Sequence, residues 1–369
     1  MRFRRLPSDH DRNPMKRAAL CGPFSCVGRG ECPHSLEAKY EVAVTHPLSS
    51  FDRIPELALD WIAQGRQVAI ATVVSTWGSA PRPTGSQMLI AESGEIEGSV
   101  SGGCVEGAVV IEAQEALRTG LPVLLEFGVS GEDAFSAGLA CGGEIKVLVE
   151  PVGEGTGAGH GLPIAMLKEL VAARSTRTRI VYEVTLDGWA RSLRAPRDSE
   201  AEIGIHDGLY THPHEPPLRL VIAGAVHVAQ ALIPMAQIVG FDIVLIDPRG
   251  AFATQDRFPG VTIYEDYPDD VLPQICIDHR TAIVTLAHDP KIDDPALEAG
   301  FTSNAFYIGA LGSRRTQGQR LERLSARGYG PEDLRRIHGP VGLDIGALGP
   351  AEIAVSIMAE LIARHRRPR

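Results

Sequence analysis

The chain has 369 residues, with 36 Lys and Arg against 46 Asp and Glu; the formal net charge of -10 disfavours a broad nucleic-acid surface, and any anionic ligand must meet locally gathered positive charge. Apolar residues make up 44% and charged residues 22%, which excludes wholesale disorder, and the length predicts two domains. No apolar run approaches the roughly eighteen residues of a membrane span, and Pro7, Asp9, Asp11 and Pro14 break the start of the chain, so no membrane span or secretory signal is expected and the cytoplasm is the expected compartment.

Residues 1–50 hold five prolines and eight Lys and Arg against five Asp and Glu, without periodicity, and read as a disordered basic extension. Cys21, Cys26 and Cys32 within it match no familiar zinc or cluster spacing. Together with Cys104, Cys141 and Cys276 they are too sparse for a disulfide framework and read as thiols.

Residues 51–150 read as an N-terminal α/β domain. A helix starts at Ile54 and ends at Gly65, and strands are expected over 67–74, 87–91, 97–100, 122–127 and 144–150, with a long helix over 105–117. Residues 151–216 read as a linker and connecting segment: the stretch from Pro151 to Gly161 holds five glycines, and a helix over 163–173 and a strand over 178–186 follow. From 217 to 369, short apolar runs at 218–223, 243–246, 281–286 and 305–308 alternate with helical stretches, the rhythm of a Rossmann-like doubly wound parallel sheet. Pro350 opens a last helix whose end carries Arg364, Arg366, Arg367 and Arg369.

Two loops of this second domain could hold a ligand. Gly224 follows the first strand and Asp247 ends the next, the layout of a dinucleotide crossover in which Asp247 reaches a ribose hydroxyl. Val226 stands where the second glycine of G-x-G-x-x-G would be, which obstructs a pyrophosphate and weakens the reading of NAD(P) as a cofactor. Arg249 could meet a phosphate or pair with a carboxylate, and His227 lies near the crevice. Further on, Gly312, Ser313 and Arg314 open a helix after a strand, a place for a phosphate, although adjacent arginines such as Arg314 and Arg315 also commonly form a solvated face. His288, Asp289, Asp293 and Asp294 offer metal-type ligands without a spacing that forces convergence, and no metal site is assigned. The absence of a G-x-S-x-G elbow, a Walker loop and an H-E-x-x-H helix leaves hydrolase and nucleotide-kinase readings without support.

The first domain has three glycine-rich loops, STWGSAPRPTG at 75–85, GSVSGGCVE at 98–106 and GLACGG at 138–143. Cys104 falls at the head of a helix, where the dipole favours an anionic sulfur, and Cys141 is also flanked by glycines. Both could equally be small residues in tight turns.

These loops, with IAGAVHVAQAL, DPRGAFAT, YIGALGSRRT and GPVGLDIGALGPAEIAVSIMAE in the second domain, give the stretch from about 54 to 366 a combination that resembles the XdhC/CoxI family, the accessory proteins of xanthine dehydrogenase and related molybdenum hydroxylases. The resemblance implies a maturation factor without a turnover reaction that binds the molybdenum cofactor (molybdopterin), protects it, supports its sulfuration by a cysteine desulfurase and delivers it to the molybdenum hydroxylase apoenzyme. The residue chemistry lets the phosphate of such a cofactor use the loop of Ser313 and Arg314, while its dithiolene and metal could face the loops of Cys104 and Cys141. Where the family reads G-A-G-H-V, this chain has Val226 in place of the second glycine, with His227 in register. A homodimer is expected because two-fold pairs are the commonest closed assemblies; an NAD(P)-dependent oxidoreductase is the rival reading, and a protein that only docks desulfurase and hydroxylase is a third.

Overall fold

The computed structural model describes residues 53–80, 82–128, 143–153, 161–197 and 203–367. Pro55 in the first turn and a buried stripe of Ile54, Ala58 and Trp61 shape helix α1 (Ile54–Ala63). Next come β1 (Val68–Trp77), β2 (Gln87–Ala91), β3 (Ile96–Gly98), α2 (Glu106–Thr119), β4 (Val123–Phe127) and β5 (Glu144–Gly153). These strands form a sheet ordered β3-β2-β1-β5-β4, antiparallel throughout. Strand β1 has two apolar faces. Ala69, Ala71 and Val73 pack with Val105, Val109 and Ala113 beside α2, while Val68, Ile70 and Val74 pack with α1.

Two expectations change here. The strand expected to stop before Pro151 continues through it to Gly153, with Pro151 opposite Ala69 of β1 and past the last residue of β5 that pairs with β4. Strand β3 ends at Gly98, which leaves Val100 in the loop that follows.

The connecting segment is a sheet in its own right. After β6 (Leu162–Pro163), which pairs with β5, come α3 (Ile164–Ser175), β7 (Ile180–Thr185), β8 (Arg191–Arg194), β9 (Gly204–His206) and β10 (Leu209–His214), and the last four strands pair antiparallel in the order β8-β7-β10-β9. Ile180, Tyr182, Val184 and Tyr210 share a core with α1, β1 and β2. A buried ion pair pins this junction: Glu150 accepts from Arg191 Nε at 2.7 Å and Tyr182 Oη at 2.8 Å.

The last block holds β11 (Leu218–Ala223), α4 (His227–Ile238), β12 (Phe241–Ile246), β13 (Thr262–Tyr264), α5 (Pro268–Val271), β14 (Thr281–Thr285), α6 (Pro290–Phe301), β15 (Tyr307–Ala310), α7 (Arg314–Ala326), α8 (Pro331–Arg335), β16 (Ile337–His338) and α9 (Pro350–Arg366). All strands are parallel in the order β13-β12-β11-β14-β15-β16. In chain order that is 3-2-1-4-5-6, the dinucleotide-fold arrangement, with its switch point between β11 and β14. Helices α4 and α9 cover one face, α6 and α7 the other.

Candidate functional site

The carboxyl ends of the parallel strands form a rim, the usual ligand edge of such a sheet. Gly224 leaves β11 at φ +117, and a Cβ on it would lie 2.6 Å from the Ala287 nitrogen, so glycine is required there by the close passage of β14's exit. Val226 caps α4 with extended backbone and packs its side chain on the core beneath. His227 is exposed at the helix start.

Asp247 is buried at this rim and its carboxylate is fully used. It accepts the Ala225 amide at 2.7 Å, the Arg249 amide at 3.0 Å, and Arg249 Nε and Nη2 at 2.8 and 2.7 Å. Burial raises the carboxyl, but the Arg249 side chain and the two amides outweigh it and hold Asp247 below the ordinary aspartate range. Arg249 lies over the Phe252 ring at 4.5 Å. Of the two roles open to Arg249, the structure shows the carboxylate pair, and a ribose hydroxyl would have to displace it.

At the neighbouring exit, Gly312 turns at φ +148 and Ser313 caps α7, its Oγ accepting the Thr316 amide at 3.1 Å. Arg314 and Arg315 are exposed beside it. Behind them Arg320, 2% exposed, donates to the Leu311 carbonyl at 2.8 Å and to Gln317 Oε1 at 2.6 Å, and faces Asp293 at 3.8 Å. Burial pushes Asp293 up to about 7 against the opposing pull of Arg320. Arg320 has no signal in the sequence, because one arginine in a polar helix is indistinguishable from its solvated neighbours.

The ligand-like run 288–294 does not converge. His288 is exposed, Asp289 caps α6 by accepting the Lys291 amide, and Asp294 is bound by Arg323 at 2.6 Å and Arg327 at 3.4 Å. Among the described residues no group of three His, Cys, Asp or Glu is placed to hold a metal.

In the first domain, the loop before α2 is built round the carboxylate of Glu106. That group accepts the Ser99 hydroxyl at 2.7 Å, the amides of Val100, Ser101, Gly103 and Val105 at 2.9 to 3.2 Å, and the Ser101 hydroxyl. The Ser101 oxygen in turn accepts the Cys104 and Val105 amides, each at 3.0 Å. Burial raises the Glu106 carboxyl, yet these donors bring it down to about 2. The amides at the helix head thus form an anion nest filled by the chain's own side chain, and Cys104 is left exposed on top. Glu106 stands inside the motif, but its spacing gives no hint that it binds the loop before it. Cys141, Cys21, Cys26 and Cys32 lie outside the described residues. Gly143 abuts the tryptophan-containing loop: a Cβ there would lie 2.8 Å from the Ser79 carbonyl oxygen.

Among the described residues no hydrogen bond or ion pair joins the Cys104 loop to the Ser313 rim. Arg53, at the head of α1, bonds Asp242 at 3.1 Å at the start of β12, and Arg177, at the end of α3, bonds Asp278 before β14 at 2.7 Å. The first domain and its added sheet therefore meet the amino-terminal edge of the parallel sheet. The six-residue strands β11 and β12 put the carboxyl rim roughly 20 Å beyond that edge.

Comparison with known proteins gives concordant matches. The profile of the XdhC Rossmann domain matches residues 220–361 and that of the XdhC and CoxI family residues 61–128. The chain is 30% identical over 308 residues to the molybdenum cofactor insertion chaperone PaoD of Escherichia coli (strain K12), covering 84% of this chain and 86% of the relative. It is 29% identical to a protein of Bacillus subtilis (strain 168) described as a probable component of xanthine dehydrogenase, covering 84% of this chain and 97% of that one. A crystal structure from Bacillus halodurans, described as a xanthine dehydrogenase, superposes with a TM-score of 0.68 at 27% identity over 85% of this chain and 96% of the other.

Proposed function

Because the chain belongs to the XdhC and CoxI family, we propose that it is a molybdenum cofactor chaperone: it binds the cofactor as cargo, shields it during sulfuration and inserts it into a xanthine dehydrogenase-type apoenzyme, with no turnover of its own. The observation that carries this reading is the exposed Cys104 on a loop locked by Glu106. A thiol held on a rigid, glycine-lined surface can approach a metal or its sulfur ligands without the loop paying ordering entropy at each encounter. The exposed Arg314 at the head of α7 suits the cargo's phosphate, with Gly312 and Ser313 shaping the turn and Gly224, His227, Asp247 and Arg249 forming the adjoining wall.

Since the first domain bonds the amino-terminal edge of the parallel sheet and the rim lies at its carboxyl edge, a homodimer would let a cargo touch both Cys104 and Arg314 from two copies. Docking of the apoenzyme and of a cysteine desulfurase, in the cytoplasm, is supported by exposed Leu343, Ile345 and Leu348 on the loop before α9. The 3-2-1-4-5-6 strand order favours a dinucleotide as the rival ligand. The Asp247–Arg249 pair and Val226 oppose it.

The protein purified from cells that make molybdenum cofactor is expected to carry molybdenum and pterin, read by metal analysis and by fluorescence of the oxidised pterin. Cys104→Ser and Arg314→Ala should each lower that content with the unfolding midpoint unchanged. Protein that emerges empty and instead binds NADPH would overturn the chaperone reading in favour of the oxidoreductase.

A further inference from the structure

At the seam between the domains, on the opposite edge of the parallel sheet from the rim, lies a cleft of about 320 Å³, at the small end of ligand-binding cavities. Its walls come from all parts of the fold: Arg53 at the head of α1, Arg174 on α3, His212 and His214 on β10, Arg280 before β14, and Arg366 at the end of α9. In a chain of net charge -10 this is a concentrated positive patch.

Each acid nearby pairs with a cation, although one oxygen of Glu56 and one of Glu215 is buried without a hydrogen-bond partner. Glu56 holds Arg174 at 2.7 Å and Asp242 holds Arg53 at 3.1 Å. Glu215, the carboxylate in the lining, pairs with Arg179 at 2.7 Å and His279 at 3.6 Å. Arg366 is exposed at the mouth and has no acidic partner among the described residues.

The two histidines are the least expected feature. Two residues apart on one strand, they face the same way, with ring centroids 4.0 Å apart, and they are 8% and 5% exposed. Neither ring has a hydrogen-bond partner among the described residues, and neither ring's nitrogens are among the fully buried unpartnered atoms, so they retain access to the cleft they line. Burial and the Arg174 charge hold both below the ordinary histidine range, His212 at about 3, so each stays neutral near pH 7 and keeps one N–H to donate.

We propose that this cleft binds a phosphate group, free or carried by a small polar molecule, received by the N–H groups of His212 and His214 and by the surrounding guanidinium groups. Tetrahedral oxyanions match several donors converging from different walls, and guanidinium favours them geometrically. Bound there, the anion ties together first domain, added sheet and parallel sheet. Gln87 connects the cleft to the Cys104 loop: it lines the cleft, and its carbonyl accepts the Ser99 amide at 3.1 Å. The proposal does not depend on the cargo reading, since it concerns the edge opposite Ser313.

The test is calorimetric titration of the full chain with inorganic phosphate and with glycerol 3-phosphate, beside His214→Asn, Arg366→Gln and Arg314→Ala. Saturable binding that weakens by about tenfold or more in the two cleft variants and persists in Arg314→Ala is expected. Tighter binding of inorganic phosphate identifies a site for the free anion; tighter binding of the ester identifies a phosphorylated metabolite. Arg366 is exposed, so its variant reports binding even if His214→Asn fails to fold. No saturable heat with either probe, or binding lost in Arg314→Ala and kept in both cleft variants, would overturn the proposal; either result leaves the cofactor-content test unaffected.

Discussion

Two glycine-rich turns in this molecule are each closed by a carboxylate, with opposite consequences. Before α2, Glu106 reaches back from the first residue of the helix and fills the nest of amides from below, so the loop is rigid and its outer surface, with Cys104, stays open. After β11, Asp247 comes from the neighbouring strand and takes the Ala225 amide from the ligand side, with Arg249 beside it. One carboxylate fills a turn from below and leaves its surface open, and the other fills a turn from above. A glycine-rich turn therefore announces close backbone approach, while the side chain that fills the turn decides whether a ligand can use it.

Removing Glu106 should break this contrast most severely. Glu106→Ala leaves several amides and two hydroxyls without their acceptor and is expected to cost about 3 kcal/mol in urea unfolding. It should also change the reactivity of Cys104 toward a thiol reagent in the folded protein; an unchanged rate and stability would show that the loop is held by its own backbone. The same group should shape the acid limb. Its folded value near 2 lies below the ordinary 4.5, so its stabilisation is complete above about 4.5 and is lost as pH falls toward about 2. Up to about 3 kcal/mol is at stake, less what solvent screening removes from a partly exposed group. Glu360 titrates in the same window, also down to about 2, because the His338 and Tyr307 side chains and the Gly342 amide outweigh its burial. Glu106→Gln should therefore flatten the acid dependence only in part, as read from unfolding curves at stepped pH.

A smaller effect is expected at the rim. Arg249→Ala removes two charge-assisted bonds from buried Asp247 but leaves the Ala225 amide, for a loss of about 1–2 kcal/mol in the same urea assay. A neutral result would mean that water replaces the guanidinium and that the pair is incidental to the turn.

What is legible in the sequence follows the range of the forces involved. The strand β2, the course of α1 and the parallel rhythm from Leu218 onward are set by local apolar periodicity, and the structure has them. The added sheet reads as a connection because its strands β8 and β9 are short and polar, and they are ordered by pairing with β7 and β10 rather than by any pattern of their own. The reach of Asp247 back to Ala225, the nest around Glu106 and the burial of Arg320 are side-chain choices with no periodic trace. The docking of the first domain on the amino-terminal edge, fixed by Arg53–Asp242 and Arg177–Asp278, depends on pairs 189 and 101 residues apart.

Val226 sharpens the comparison with the least change. Its backbone, at φ -91 and ψ 176, is one that valine adopts without strain, and its side chain covers core beneath α4. Val226→Gly should accordingly lose about 1 kcal/mol, from lost packing and from the greater freedom of an unfolded glycine. It restores the glycine-rich pattern at the turn but leaves Asp247 bound to Arg249, so a nicotinamide nucleotide still finds its ribose partner taken. Fluorescence titration with NADH should therefore show no binding in Val226→Gly alone, and any binding gained should require Arg249→Ala in the same chain. If the single variant binds, the isopropyl group was the barrier, and the carboxylate at this turn yields to a ligand as the one beneath Cys104 does not.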